Sequence, residues 1–177
     1  VFTSLAPNAT VTLVRTMNDK GRVTTDTIVR ALQRVGELAE ELNIRVVNIS
    51  VYADELDQTP DHPVNRAVED LVSQGIVVVC AAGNNPNVPI RPPAAAVNGL
   101  TVGGLDDKNT LIDDDNEMYH STFGLTSLGV QKPEIIAPAI WLPAPALSQD
   151  TKIRKHRPEP ARCPARWFSS TQPWCSR

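Results

Sequence analysis

The sequence predicts an α/β fold in which parallel strands alternate with helices. Two observations lead to this prediction. Short apolar runs that fit strands buried on both faces alternate with longer segments whose apolar residues recur at helical spacing. The order strand, helix, strand, helix, strand is typical of right-handed βαβ units. With 177 residues, 41% hydrophobic and 21% charged, the chain has the composition of a globular domain with a sizeable core.

The first half of the pattern runs from residue 11 to residue 50. Residues 11–17 (VTLVRTM) predict a strand, and NDKG after it predicts a turn. A helix then begins at a capping Thr24 or Thr25 and ends at Asn43. Residues 44–50 (IRVVNIS) predict the second strand. The apolar face of the helix consists of Ile28, Leu32, Val35, Leu38 and Leu42.

A second helix and three further apolar runs complete the pattern. The helix follows a polar loop at 53–61 and ends at Gly75, which can adopt the left-handed conformation of a C-cap. Residues 76–79 (IVVV) predict the third strand, residues 98–105 a fourth, and residues 134–139 a short apolar run stopped by Pro138. The apolar face of the second helix consists of Val64, Ala67, Val68, Leu71 and Val72.

The end of the third strand is the strongest candidate site. Ala81, Ala82 and Gly83 leave room for a ligand close to the backbone. Ligands of open α/β sheets bind outside the carboxyl ends of the strands. Asn84 follows, with an amide that can donate hydrogen bonds. The alternative interpretation is a tight turn in which Asn84 bonds to the local backbone.

Five segments, in order and at about the expected spacing, resemble the subtilisin-like serine peptidases (subtilases). They are LAPNATVTLVR, VVNIS, GIVVVCAAGNN, RPPAAAVNGLTVGGLD and STFGLTSLGVQKPEIIAPA. The resemblance covers residues 5 to about 140 and corresponds to the middle of a subtilase catalytic domain. It implies a three-layer, subtilisin-like fold with helices on both faces of the parallel sheet, here incomplete.

The resemblance also implies roles for individual residues. Asn84 matches the side-chain donor of the oxyanion hole, which stabilises charge on the scissile carbonyl oxygen. Two short segments would form opposite walls of the pocket for the residue before the cleaved bond, one of them pairing with the peptide backbone by strand addition. The implied substrate-binding residues are Ile49, Ser50, Val51, Ala81, Ala82 and Gly83.

The motifs that carry the catalytic residues of the family do not occur in this sequence. They are D-[ST]-G, H-G-T and G-T-S-M-A, and the first two would be expected upstream of Val1. His62 is expected to be solvated, and His120 and Ser121 are adjacent and therefore point apart. The sequence thus predicts a fragment of a serine endopeptidase, inactive as this isolated chain. The alternative is a non-catalytic module that binds peptides.

One departure from the family pattern concerns the site, and an acidic cluster elsewhere raises the question of a metal. Tyr52 stands where the family usually has glycine, so its ring could reshape or block the substrate subsites. Residues 113–115 are three aspartates, which raises the question of calcium. The calcium loops of the family do not map onto them, so a solvated acidic loop is the favoured interpretation. No cofactor is identified.

The composition changes near Pro145, which predicts a boundary between residues 1–145 and 146–177. The first segment carries 10 Lys and Arg against 18 Asp and Glu, and the second carries seven against two. Residues 146–177, basic and containing proline, do not follow the family pattern and are expected to be disordered, as after a shifted reading frame or a mis-joined exon. We expect a peptide or protein substrate as partner and neither nucleic acid nor a membrane. The sequence assigns no compartment.

Overall fold

The computed structural model describes residues 6–53 and 61–140, and within them two helices and seven strands. The helices are α1 (Thr25–Leu38) and α2 (Pro63–Ser73). The strands are β1 (Val46–Ile49), β2 (Val77–Ala81), β3 (Leu100–Asp106), β4 (Glu117–Met118), β5 (Gly124–Leu125), β6 (Gln131–Lys132) and β7 (Ile135–Pro138). A single 3₁₀ turn, Asp113–Asp115, precedes β4. The predicted boundary at 145 and the tail 146–177 lie outside the described residues.

The main sheet is parallel, which confirms the predicted α/β class. Strand β1 pairs with β2, β2 with β3, and β3 with β7, all in parallel. Short β4 adds to β3 in the antiparallel direction, and β5 and β6 form a separate small hairpin. Because the strands of the parallel ladder share a direction, the carboxyl ends of β1 and β2 meet at one edge of the sheet. That edge carries the candidate site.

The ends of the helices follow from their local sequences. Thr24 is the N-cap of α1 and forms a reciprocal capping box with Thr27. Regular helix ends at Leu38 rather than continuing to Asn43 as predicted. A hydrogen-bonded turn follows, in which Ile44 N–H donates to the Ala39 carbonyl at 2.8 Å. Asn43, with φ of 51°, adopts the left-handed conformation that closes this turn. The helical turns therefore still end at the predicted residue.

Gly75 has the predicted left-handed conformation at the end of α2, with φ of 81°. Its N–H donates to the Val72 carbonyl at 2.9 Å, and the N–H of Ile76 donates to the Leu71 carbonyl at 3.2 Å. Only a residue without a Cβ adopts this backbone at little cost. The turn therefore leads directly from α2 into β2.

The strand predicted at 11–17 is wrong. Residues 11–17 form no ladder with another strand, and the side chains of Val11 and Leu13 are 74% and 89% exposed. A cavity of about 750 Å³ separates this segment from β1. Apolar β-branched residues favour a strand only where a neighbouring strand accepts their backbone hydrogen bonds and packs against them. The NDKG turn is confirmed, since Asn18 Oδ1 accepts from the N–H groups of Lys20 and Arg22.

The core lies between the two helices and one face of the sheet. The apolar residues of α1 and α2 that the sequence placed on their inner faces are buried here, except for Leu42, which is exposed, and Leu38 and Val72, which are not fully buried. Alternate residues of the strands point away from this core. Among the described residues no helix covers that opposite face, and Val77 on it is 50% exposed. The core consists chiefly of Ile28, Leu32, Val35, Ile49, Val64, Val68, Leu71, Val78 and Cys80.

A lysine is fully buried where β3 meets the turn before β7. The Nζ of Lys132 donates to the Gly99 carbonyl at 2.8 Å and forms an ion pair with the Glu134 carboxylate. The other oxygen of Glu134 accepts from the Thr101 N–H at 2.8 Å. The pair thus joins residues 99–101 to residues 132–134 through both main chain and side chains, and so holds β7 beside β3.

Cys80 lies in the same part of the core and carries the thiol of β2. Burial raises its pKa from 9.0 to about 12, with the nearby Lys132 charge opposing the shift. The thiol therefore stays protonated and behaves as a small hydrophobic side chain, as predicted. No helix within the described residues is long and apolar enough to cross a bilayer.

Candidate active site

The carboxyl ends of β1 and β2 enclose a cavity of about 300 Å³, which we name the strand-end cavity. It brings together residues from three regions of the sequence, at positions 50–52, 81–91 and 122. Six of the seven predicted site residues line it, namely Ser50, Val51, Ala81, Ala82, Gly83 and Asn84. Six further residues also line it: Tyr52, Asn85, Val88, Pro89, Arg91 and Thr122.

Ile49 is the predicted site residue that does not line the strand-end cavity. Its side chain is 6% exposed and belongs to the core beneath the sheet. Its backbone pairs with Cys80 in the parallel ladder. Successive side chains of a strand point to opposite faces, and that of Ile49 points into the core between the helices and the sheet. Ser50 and Val51 also border the larger cavity beside β1.

The loop that carries Asn84 is held by Thr122, a residue 37 positions downstream of Asn85. Thr122 Oγ1 donates to the Asn85 carbonyl at 2.8 Å and accepts from the Asn85 N–H at 3.3 Å. The N–H of Thr122 donates to the Gly83 carbonyl at 3.2 Å. Buried Thr122 therefore clamps the residues on both sides of Asn84.

Gly83 is required by the same contact. Its φ is 108°, and a Cβ built on it would lie 2.7 Å from Thr122 Oγ1. That distance is shorter than side chains tolerate, and the backbone conformation is one that residues with a Cβ rarely adopt. The glycine is thus needed both for the turn and for the close approach of Thr122.

Asn84 itself is exposed at the mouth of the strand-end cavity. The local backbone bonds that the alternative interpretation gave to Asn84 are made by Asn85, whose Oδ1 accepts from the Asn87 N–H at 2.9 Å. The Asn84 amide forms no hydrogen bond to the described part of the chain. Its N–H groups can therefore donate to a bound molecule.

Tyr52 and Arg91 are two residues whose place in the site the sequence left open. The Arg91 guanidinium carbon lies 5.3 Å from the centroid of the Tyr52 ring, a cation–π contact. Tyr52 is exposed at the cavity wall, so its ring narrows the cavity without filling it. Sequence reasoning identified Tyr52 as a departure but missed Arg91, because nothing local connects residue 91 to residue 52.

His62, His120 and Ser121 have structural contacts within the described part of the chain. His62 is buried, not solvated as predicted, because its Nδ1 accepts from the Val64 N–H at 3.2 Å and so caps α2. Ser121 Oγ accepts from the Gly104 N–H at 2.6 Å, while the exposed ring of His120 packs edge-on against Tyr119. These contacts connect the segment at residues 119–121 to β3.

The three aspartates form the 3₁₀ turn before β4. Asp113 and Asp114 are exposed, and Asp115 accepts a hydrogen bond from Thr110 Oγ1. Across residues 6–53 and 61–140, no group of three or more His, Cys, Asp or Glu is arranged to hold a metal ion. The arrangement is that of an acidic surface turn.

Comparison with known proteins gives a consistent match. The model described as "Subtilase family" matches residues 2–162. The chain is 35% identical over 143 residues to the serine protease AprX of Bacillus subtilis (strain 168), covering 76% of this chain and 32% of that protein. It is 29% identical over 105 residues to subtilisin BL of Lederbergia lenta, covering 59% of this chain and 36% of the relative.

A solved structure has the same fold. The chain aligns with the S41 psychrophilic protease with a TM-score of 0.54 and 26% identity, covering 69% of this chain and 41% of that one. Sphericase aligns equally well, with a TM-score of 0.54 at 21% identity. The chain spans about a third of the length of the curated relatives named above.

Proposed function

The chain belongs to the subtilase family of serine peptidases, and on this premise we propose that its described part forms the peptide-binding cleft of a serine endopeptidase. One observation carries the proposal. Ser50 and Val51 from one strand end, and residues 81–84 from the next, line a single cavity at the carboxyl edge of the parallel sheet. An extended peptide would lie between these two backbone segments and add to them by main-chain hydrogen bonds.

Asn84 has the role of oxyanion donor in this proposal. In serine acyl transfer a hydroxyl attacks the scissile carbonyl, and negative charge develops on the carbonyl oxygen. A carboxamide suits this position because it donates without titrating, and the clamp of Thr122 on Gly83 and Asn85 holds the backbone that carries it. The small side chains of residues 81–83 leave space for the residue that precedes the cleaved bond.

The 177 residues by themselves are proposed to bind peptides without cleaving them. The family motifs for the catalytic serine, histidine and aspartate do not occur in the sequence, and Ser121 is engaged by the backbone of Gly104. A cleft and an oxyanion donor alone give only a small part of the acceleration of this mechanism. We expect no turnover of casein or of a fluorogenic peptide by the purified chain.

Peptide binding can be tested with Ala81→Phe. Ala81 is exposed at the end of β2 and lines the strand-end cavity, so a phenyl ring there would fill the space without entering the core. We expect this variant to lose binding of a fluorescein-labelled extended peptide, measured by anisotropy, while its thermal melting curve stays close to that of the wild type.

Val77→Phe is the matched control, because Val77 lies on the same face of the same strand but outside the strand-end cavity. Asn84→Ala should also leave the Kd nearly unchanged, since the amide interacts with charge that develops only in the transition state. Equal loss of binding in Ala81→Phe and Val77→Phe would contradict the location of the cleft. Hydrolysis by the purified chain would contradict its inactivity.

Tyr52 favours a second candidate function, that of a non-catalytic module that binds peptides. Its ring borders the strand-end cavity at a position where a small side chain would let a substrate come closer to the backbone. The flanking sequence of the gene discriminates the two functions. Motifs for the serine, histidine and aspartate in any frame support the peptidase, and continuous flanks without them support the binding module.

A further inference from the structure

Arg91 gives the strand-end cavity a positive charge. Among the described residues that line the cavity, Arg91 is the one that carries a charge. The others are Ser, Thr, Asn, Tyr, Pro and small or branched apolar residues. No Asp or Glu from residues 6–53 or 61–140 lines the same space. The described surroundings therefore leave the guanidinium charge without a compensating carboxylate.

The backbone around Arg91 is held firmly. Ile90 on one side and Pro92 on the other are both buried, and the Pro92 carbonyl accepts from the Ala53 N–H at 3.0 Å. The Tyr52 ring then restricts the guanidinium through the cation–π contact. Arg91 thus lies against the cavity wall in a defined position instead of extending freely into solvent.

The Nε of Arg91 is buried and has no hydrogen-bond partner within the described part of the chain. A buried donor without a partner is costly, and more so when it belongs to a charged group. The planar fork of a guanidinium pairs best with a carboxylate, through two parallel hydrogen bonds. Because Arg91 lines the cavity and no described carboxylate compensates its charge there, the site favours a carboxylate from outside the chain.

We propose that the strand-end cavity accepts an acidic side chain, Asp or Glu, of the bound peptide, and that Arg91 pairs with its carboxylate. This inference rests on the proposed function, because the peptide must first lie across the ends of β1 and β2. It adds the class of substrate, which is a peptide with an acidic residue at the position that enters the cavity.

The test is a set of peptides that differ in one residue. Acetylated and amidated hexapeptides with Glu, Gln or Lys at one central position carry no terminal charges, so a difference in Kd reports the side chain. For the wild-type chain we expect the Glu peptide to bind at least ~10-fold more tightly than the Gln peptide, as for hydrogen bonds to a charged group. Arg91→Gln should abolish this difference, and Arg91→Glu should favour the Lys peptide.

Two further variants make the result specific. Arg91→Lys keeps the charge without the planar fork and should retain a smaller preference for Glu. Arg66→Gln, at an exposed arginine on α2 that pairs with Asp61, is the control and should leave the preference unchanged. Melting curves of all variants establish that each is folded.

Each other outcome has a definite meaning. Equal binding of the Glu and Gln peptides by the wild type overturns the acidic preference and leaves the peptide cleft standing. A Glu preference that persists in Arg91→Gln overturns the role of Arg91. No binding of any of the three peptides overturns the proposed function, and this inference with it.

Discussion

Replacement of Lys132 by methionine is expected to destabilise the protein by about 3 kcal/mol, the lower end of the range for breaking a buried ion pair. Lys132 is fully buried, and methionine has a similar length but no charge. The change removes the donor to the Gly99 carbonyl and leaves the Glu134 carboxylate without its cation. We take the lower end because the Glu134 side chain is 32% exposed, so water can partly solvate it.

The measurement is urea unfolding followed by circular dichroism. The double variant Lys132→Met with Glu134→Gln should recover part of the loss, because the glutamine is neutral and still accepts from the Thr101 N–H. Lys108→Met is the matched control, since Lys108 pairs with Asp106 and Glu117 at the surface, where water screens the charges. If Lys132→Met and Lys108→Met have equal effects, the buried pair does not stabilise the junction of β3 and β7.

Gly83→Ala is expected to have the second-largest effect, on both stability and peptide binding. The backbone conformation alone costs a residue with a Cβ about 1–3 kcal/mol. The new Cβ would lie 2.7 Å from Thr122 Oγ1, so Thr122 must move and its hydrogen bonds to Asn85 must stretch or break. Since these bonds hold the loop that carries Asn84, we expect both a lower Tm and a weaker Kd for the labelled peptide.

Gly21→Ala separates the two causes. Gly21 has φ of 70°, and a Cβ there meets nothing within 4 Å, so its replacement reports backbone strain without a clash. We expect Gly21→Ala to lower the Tm less than Gly83→Ala and to leave peptide binding unchanged. Equal losses of Tm in the two variants would show that the clash with Thr122 does not contribute to the loss of stability.

Much of the candidate site follows from a single stretch of sequence. The apolar run before Ala81, the small residues 81–83 and the amide of Asn84 are contiguous, so the strand end and its open space are visible without a structure. Ser50 and Val51 were added through the resemblance of the segment VVNIS to the subtilases, and the carboxyl ends of β1 and β2 do meet beside them. Ile49, implied by the same resemblance, does not line the strand-end cavity, because its side chain packs in the core.

The rest of the site depends on contacts between distant positions. Thr122 and Asn85 are 37 residues apart, and Arg91 and Tyr52 are 39 residues apart, so no local pattern relates the members of either pair. The signal for Thr122 was present in the segment STFG, which resembles the family, but its function as a clamp needs the loop at residues 83–85 beside it. Apart from its charge, nothing in the sequence around Arg91 indicated that it belongs to the site.

The sequence by itself determined the parallel α/β class, the inner faces of both helices, the stop at Gly75 and the position of Asn84 after β2. Each of these depends on residues within one or two turns or strands, where periodicity and backbone preference act directly. Only the tertiary structure decided that residues 11–17 form no strand, that His62 is buried as a cap, and that Lys132 enters the core. In each of these three cases the outcome depends on what lies beside the residue in space. A strand needs a partner and a buried charge needs an ion pair, and the local sequence specifies neither.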